Sequence, residues 1–437
     1  MSHTDADVIV IGAGAAGLAA AGALVRAGRA VLLLEARDRI GGRICTRHEP
    51  ALPVPLELGA EFIHGPAPLT RALLERGGSG AIDAAGSRWR LREGELQPAA
   101  DWLDELSAAF GSAGILRQQD LSFDALLEQL PLRPETKVAA RRMAEGFDAA
   151  DTARASARAI AAEWAGDTLG DTPQSRPEGG YAALLAALMQ PLHAAGARVQ
   201  LQSPVHSVLW SHGSVSVAGE RLGARFEARA ARAILTLPLG VLLAGDSGEG
   251  GVHFAPALAR KRAALQGLAS GAVLKVLLRF RTPFWEQLQQ GRYRDATFFH
   301  TPEALFPTFW TSYPARSPLL VAWSGGPRAQ QLAAGASSAQ IARAAVTALG
   351  SLFGAAAEVD RLLEAYYLHD WQSDPYACGA YSYVLVGGGQ ARAQLGEPLE
   401  GTLFFAGEAT DRQEAGTVSG ALRSGVRAAQ QVLESVP

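Results

Sequence analysis

The stretch from Asp7 to Arg43, DVIVIGAGAAGLAAAGALVRAGRAVLLLEARDRIGGR, constrains the fold more than any other part of the 437-residue chain. A β-branched run from Asp7 to Ile11 leads into Gly12-x-Gly14-x-x-Gly17. An alanine-rich helical stretch then reaches Ala27, and a second apolar run, Val31 to Leu34, ends on Glu35. Strand, glycine turn, helix and strand in this order form the context in which a dinucleotide fingerprint carries meaning. Gly12 permits the tight turn, Gly14 lets the backbone approach a pyrophosphate, and Gly17 lets the helix lie against the sheet; Ala16 sits within the same turn. The helix N-terminus then offers free N–H groups and the positive end of its dipole to phosphates. Glu35 is eighteen residues beyond Gly17, close to the spacing of about 20 at which a carboxylate accepts from ribose hydroxyls.

The fingerprint leaves the dinucleotide open, because NAD and FAD share the adenosine diphosphate it grips. The following residues, Glu35-Ala36-Arg37-Asp38-Arg39-Ile40-Gly41-Gly42-Arg43, bear on that choice. Two glycines and an arginine suit a second phosphate contact, with close backbone approach and a planar guanidinium able to pair two oxygens. The segment resembles the E-A-R-x-R-x-G-G-R extension of the flavin amine oxidase family, which groups monoamine oxidases, polyamine oxidases, L-amino-acid oxidases and flavin histone demethylases. The resemblance implies FAD and an α/β fold: a Rossmann-like FAD-binding domain with a mixed sheet-plus-helices substrate domain.

Further blocks carry the same resemblance. Leu56-Glu57-Leu58-Gly59-Ala60-Glu61-Phe62-Ile63-His64-Gly65 reads as a strand end entering a glycine turn. In the family this segment reaches the flavin and the substrate cavity, and a His followed by Gly is most like the polyamine oxidase branch, where that histidine lines the amine pocket. By itself His64 reads more readily as a partly buried histidine with satisfied partners. Glu61 either supplies negative potential to a cationic substrate or caps a turn. The strand Gly271 to Phe280 places Lys275 on one face with Val273, Leu277 and Arg279, the pattern of a half-exposed strand. Its K-V-x-L-x-F and the following Pro283-Phe284-Trp285 resemble the family strand whose lysine holds a water beside flavin N5, which implies a cation that favours charge on reduced flavin.

Trp371-Gln-Ser-Asp-Pro-Tyr376-Ala-Cys-Gly-Ala-Tyr381 resembles the family signature W-x-x-x-P-Y-x-x-G-x-Y, with Tyr381 as a wall of the amine pocket. Covalent members carry a flavin-linked cysteine before that tyrosine; here it is Ala380, which implies non-covalent FAD. The usual second aromatic wall is absent from Gln413 to Val418, which leaves Tyr381 alone and Glu414 as a candidate receiver of a distal ammonium. Gly407-Glu408 and Gly416-Thr417-Val418 match the closing FAD motif, in which the carboxylate meets hydroxyls of the cofactor and the last helix points at the flavin. Ser203-Pro204-Val205 matches a segment whose valine meets adenine through its backbone.

Elsewhere the reading is organisational. Helical spacing covers Leu103 to Ala109, Phe123 to Leu130, Glu135 to Phe147 and Ala153 to Trp164, with breaks at Gly111, Pro131, Pro134 and Gly166, so a helical insert is expected from about Ile82. Val199 to Leu201, Val205 to Trp210, Ser214 to Val217 and Arg225 to Leu237 alternate like antiparallel strands. The expected FAD-binding domain is discontinuous, 1–80, 192–282 and 396–437, with a substrate domain of 81–191 and 283–395. A formal net charge of −3 without basic blocks gives no support for nucleic-acid binding, and no apolar run is long enough to span a bilayer. Two cysteines, Cys45 and Cys378, and an early first strand make the cytoplasm the expected location, and no metal site is expected.

The expected reaction is oxidation of an amine, polyamine or other, to an imine that hydrolyses to an aldehyde or ketone, with O2 reduced to H2O2. The alternatives are an L-amino-acid oxidase, ranked lower because Gly59 to Pro68 holds no arginine, and a non-catalytic FAD-bearing protein; the two outer motifs disfavour a nicotinamide dehydrogenase. The oligomeric state is not legible.

Overall fold

The computed structural model describes residues 4–99, 106, 109–110, 115–164 and 174–435. The helix expected over Leu103 to Ala109 and the breaks at Gly111 and Gly166 fall mostly outside these residues.

Five short parallel strands form the sheet that presents the fingerprint, in the order Leu403–Phe405, Arg232–Leu235, Val8–Ile11, Val31–Leu34 and Arg198–Gln200. Val8–Ile11 and Val31–Leu34 are wholly buried, as parallel strands covered on both faces are. The helix Ala15–Arg26 crosses between them and packs against the last helix, Val418–Glu434. Gly425 sets that closeness, because a Cβ there would run into the Ala16 carbonyl. A four-stranded sheet, Ala224–Ala230, Ser214–Arg221, Val205–Ser211 and His253–Ala255, covers the other face of the parallel sheet through Val208, Val217 and Ala228.

The strand group between residues 199 and 237 is thus not one antiparallel set. Arg198–Gln200 runs parallel to Val31–Leu34, and the expected run Arg225 to Leu237 divides into Ala224–Ala230, antiparallel, and Arg232–Leu235, parallel to Val8–Ile11. Two-residue alternation shows which face is buried but not which neighbour accepts the hydrogen bonds.

A seven-stranded sheet faces the fingerprint across the cavity, ordered Leu363–Leu368, Val273–Phe280, Leu319–Gly325, Thr308–Thr311, Ala296–His300, Ser87–Arg92 and Glu95–Pro98. Three expectations change here. The insert expected to be helical from Ile82 opens instead with strands, Ala81–Asp83 and the hairpin Ser87–Arg92 with Glu95–Pro98. The signal was present in S-R-W-R-L-R followed by Glu93-Gly94, both of which take positive φ at the turn. Val273–Phe280, expected within the cofactor segment ending at 282, hydrogen-bonds into this sheet on both sides, and it is buried almost throughout rather than half-exposed. Conversely the helix Ala182–Ala194, expected in the substrate segment, buries Leu184, Leu188 and Leu192 in the core that also holds Leu18 and Leu24. Phe123–Gln129, Pro134–Phe147 and Ala157–Trp164 are helices, as their spacing predicts. Among the described residues no helix is long and apolar enough to cross a membrane.

Candidate active site

Between the parallel sheet and the seven-stranded sheet lies a cavity of about 650 Å³, within the ordinary range for small-molecule sites. Its glycine-lined end is built from three turns stitched together. Gly12 has φ +102°, and Gly14 is the N-cap of Ala15–Arg26 with no side-chain cap. Gly41 donates its N–H to the Ala13 carbonyl at 2.8 Å, which lays the second turn, Gly41-Gly42, beside the first. Glu35 is buried at 4% exposure and accepts from the N–H of Ala13 (2.7 Å) and of Arg37 (2.9 Å). Its carboxylate is therefore fixed by backbone at the edge of the cavity, which Ala16, Ala36, Arg37 and Val205 also line.

From the C-terminal end, Gly407 has φ +128° and leads to Glu408. Glu408 accepts from Arg43 Nη1 (3.0 Å), Ser382 Oγ (2.7 Å) and the Gly416 N–H (3.1 Å). Burial pushes its carboxyl up, but Arg43, Arg392 and Ser382 outweigh that and hold it below the usual carboxylate range. Arg43 also donates to the Ala380 carbonyl. Thr417 caps the last helix by accepting from the Gly420 N–H at 3.0 Å, and Gly416, Thr417 and Val418 line the cavity. Arg43, expected at a phosphate, and Arg37, expected at the cofactor, are thus each engaged within the protein. Arg37 pairs with Asp374 at 2.6 Å and lies over the Tyr376 ring at 5.4 Å.

These residues fit a dinucleotide. A Cβ on Gly14 would meet nothing nearer than Gly41 O and Gly42 Cα at 3.9 Å, so the open side of this glycine faces free space at an uncapped helix start. A Cβ on Gly17, by contrast, would strike the Gly12 carbonyl. One glycine keeps room for a ligand, and the other keeps the turn itself.

At the other end of the cavity Lys275 is 4% exposed. Its Nζ pairs with Glu61 Oε2 at 2.7 Å and donates to the Gly59 carbonyl at 3.1 Å. Glu61 is also held by Arg176 Nε (2.7 Å) and Trp310 Nε1 (2.9 Å). Burial raises the Glu61 carboxyl, but Lys275 and Arg176 together hold it below its ordinary value. Neither alternative expected for Glu61 stands: among the described residues it accepts from no backbone N–H and so caps no turn, and its charge is already neutralised by two cations. Glu414 is likewise not a free acceptor. It takes hydrogen bonds from Ser419 (2.8 Å) and Arg423 (3.3 Å) and does not line the cavity.

His64 lines the cavity, with its ring edge-on to Phe147 at 5.3 Å and Nδ1 buried without a partner among the described residues. Burial pushes its pKa down to about 4, so the imidazole is neutral at working pH. Between about pH 6.5 and 4 the unfolded imidazole takes a proton that the folded one refuses, so this residue costs stability as pH falls through that window. His64→Gln is expected to flatten the pH dependence of Tm between 6.5 and 4 relative to the parent, which thermal melts at half-unit steps will read.

Tyr381 and Trp323 close the cavity against the end of the helix Pro134–Phe147. The Tyr381 hydroxyl donates to Phe147 O (2.8 Å) and the Trp323 indole to Gly146 O (2.7 Å), satisfying carbonyls that a helix end leaves open. Burial, then Asp148, Glu163 and Glu408, pushes the Tyr381 phenol well above its usual value. Tyr381 is therefore not a lone wall: Trp323, Trp310, Phe298 and Phe62 line the same cavity. Trp371, buried at 4%, ties its indole to the Leu58 carbonyl at 3.0 Å and so fixes the Gly59-Ala60 turn.

The structure brings Lys275, Tyr381, His64 and the glycine turns to one cavity. Sequence reading missed the buried Asp148, the half-buried Glu163 and the arginines Arg88, Arg90 and Arg142, all of which line it. Asp148 is pushed well up by burial and by Glu163, and its Oδ1 has no partner among the described residues. No local motif marks these residues; only the folded register does.

The family model for flavin-containing amine oxidoreductases matches residues 15–433. The chain belongs to that family. It is 29% identical to human (Homo sapiens) lysine-specific histone demethylase 2 over 467 residues, covering 97% of this chain and 53% of that protein. It is 27% identical to polyamine oxidase 4 of Oryza sativa subsp. japonica, covering 97% and 88%. The chain thus spans about half the length of the histone demethylase. Among solved structures, putrescine oxidase bound to putrescine superposes with a TM-score of 0.81 at 22% identity, covering 98% of this chain and 99% of that one. Cyclohexylamine oxidase from Brevibacterium oxydans IH-35A gives 0.80 at 23%, with the same coverage. The fold is that of these flavin-dependent amine oxidases, and FAD is the family's cofactor.

Ala380 lies against the cavity at 7% exposure, and the nearby Cys378 lines no part of it. Denaturing the holoprotein in acid is therefore expected to release all of the flavin into the supernatant, read by absorbance of supernatant and pellet; flavin retained on the pellet would show a covalent link.

Proposed function

We propose that the chain oxidises the C–N bond of a primary or secondary amine, that the imine hydrolyses to an aldehyde or ketone, and that O2 is reduced to H2O2. The observation that carries this reading is Lys275, a buried cation held by Glu61 in an aromatic-lined cavity that also receives both glycine turns. Bound FAD supplies the two-electron acceptor.

The chain's own residues do the rest. The pyrophosphate end would be held by Gly12, Gly14, Ala16 and the Gly41-Gly42 turn, with Gly17 holding the turn in shape, the ribose by Glu35, the adenine beside Val205, and the flavin end by Arg43, Gly59, Ala60, Gly407, Glu408 and Gly416 to Val418. The aromatic lining excludes water and favours the neutral, oxidisable form of the amine over its ammonium. Neutral His64 can accept or donate one hydrogen bond without adding charge. Lys275, oriented by Glu61, places a fixed positive charge where reduction accumulates negative charge. We take the parallel and four-stranded sheets as the cofactor unit and the seven-stranded sheet with the helices Phe123–Gln129, Pro134–Phe147 and Ala157–Trp164 as the substrate unit.

The deciding experiment is anaerobic addition of an amine panel to the purified yellow protein, followed by admission of O2 with a peroxide readout. Bleaching by an amine and recovery with peroxide support the reading; a flavin that no amine bleaches sinks it.

A further inference from the structure

The register of the seven-stranded sheet draws a line of side chains across the cavity. Lys275 pairs with Trp323, Trp323 with Thr308, Thr308 with His300 and His300 with Arg90, each directly opposite the next on adjacent strands. All five line the cavity, so the row lies on the face that looks into it. In the adjoining row, Trp310 pairs with Phe298 and Phe298 with Arg88. Lys275 stands at one end, and at the other are two guanidinium groups two residues apart on one strand, hence on the same face.

Neither arginine is neutralised. Among the described residues Arg88, which is exposed, has only a cation–π contact with the Phe298 ring at 5.4 Å, and the half-buried Arg90 has no ion pair or side-chain hydrogen bond. Burial, then the neighbouring Arg92, presses the Arg90 pKa down, and Glu303 partly offsets them. His300, beside Arg90 in the first row, is held neutral by burial and by these same arginines, at a pKa of about 4. Arg142 lines the cavity from the helix Pro134–Phe147; it pairs with Glu145 at 2.7 Å, and its Nε is buried without a partner.

We propose that Arg88 and Arg90 form an anion-recognising subsite at the far end of the cavity, so that the substrate is an amine carrying a carboxylate at the end remote from the oxidised nitrogen. This deepens the amine-oxidase reading and rests on it. The row also sets a length. Four inter-strand steps of about 4.8 Å place Lys275 and Arg90 about 19 Å apart along the sheet. An α-amino acid, with its carboxylate one carbon from the amine, cannot span it. A long ω-amino acid can, with methylenes lying along Trp323, Thr308, Trp310 and Phe298. A diamine of the same length would bring a second ammonium to two unpaired arginines, which Coulomb repulsion disfavours.

The test compares dodecylamine, 1,12-diaminododecane, 12-aminododecanoate and L-leucine on the holoenzyme. The expected KM is lowest for 12-aminododecanoate and higher for the diamine than for dodecylamine. In Arg90→Ala the KM ratio of 12-aminododecanoate to dodecylamine rises about 10-fold or more, the loss of a hydrogen bond between charged groups, with Arg90→Lys between the two. An unchanged ratio, or L-leucine as the best of the four, overturns the subsite while leaving amine oxidation intact. If no amine is turned over, the amine-oxidase reading fails by itself. The subsite is then read from the shift of the flavin band on adding 12-aminododecanoate: an affinity that Arg90→Ala weakens sustains it, and one that the substitution leaves unchanged overturns it.

Discussion

Gly14→Ala is expected to empty the protein of flavin without unfolding it. The added Cβ meets no protein atom closer than 3.9 Å, and the backbone at Gly14, φ −72° and ψ −179°, accommodates alanine. The apoprotein should therefore melt within about 2 °C of the parent apoprotein, the scale of a change below 0.5 kcal/mol. The methyl group instead occupies the space where phosphate must approach the uncapped helix start, so FAD affinity should fall about 100-fold or more, equal to about 2.7 kcal/mol. Flavin fluorescence titration of the apoprotein measures it. Gly17→Ala separates the causes, since its Cβ collides with the Gly12 carbonyl and the fold itself should lose stability. If both variants bound FAD like the parent, the glycine turn would not be the phosphate site.

The second large effect belongs to Lys275. Lys275→Met leaves Glu61 buried, with only Arg176 to oppose its charge. Breaking a buried pair from one side costs about 3–5 kcal/mol, so a lower Tm is expected. Lys275→Met with Glu61→Gln removes both charges and should recover much of that stability. Catalysis should not recover with it. The rate of flavin bleaching by amine or of reoxidation by O2 should fall about 10²–10³-fold in both variants, the scale of losing one positioned electrostatic group. Stopped-flow measurement of the two half-reactions tells which step uses the cation. Recovery of the rates together with stability would make Lys275 a structural ion-pair partner and nothing more.

Much of the cofactor end was legible because its code is local. Gly12, Gly14 and Gly17 act within a few residues of one another, and Glu35 is placed by the length of one helix and one strand. The substrate end resisted for the opposite reason. Glu61 read as a source of negative potential or as a turn cap until Lys275, Arg176 and Trp310, from three distant segments, were seen to saturate it. Glu414 failed likewise, through Ser419 and Arg423 on the helix that follows it. Period-two alternation in Ser87–Arg92 marks a strand but does not say that it joins Ala296–His300 in parallel.

The amino-acid order by itself determined the glycine turns, the helix starts behind them and the family, since backbone freedom at glycine and hydrophobic periodicity act over neighbouring residues. Tertiary structure alone decided which charges are spent on one another and which are left facing the cavity. Residues 90 and 275 come into one row only when five strands take up their register, and that register is fixed by long-range hydrogen bonding and burial rather than by any sequence near either residue.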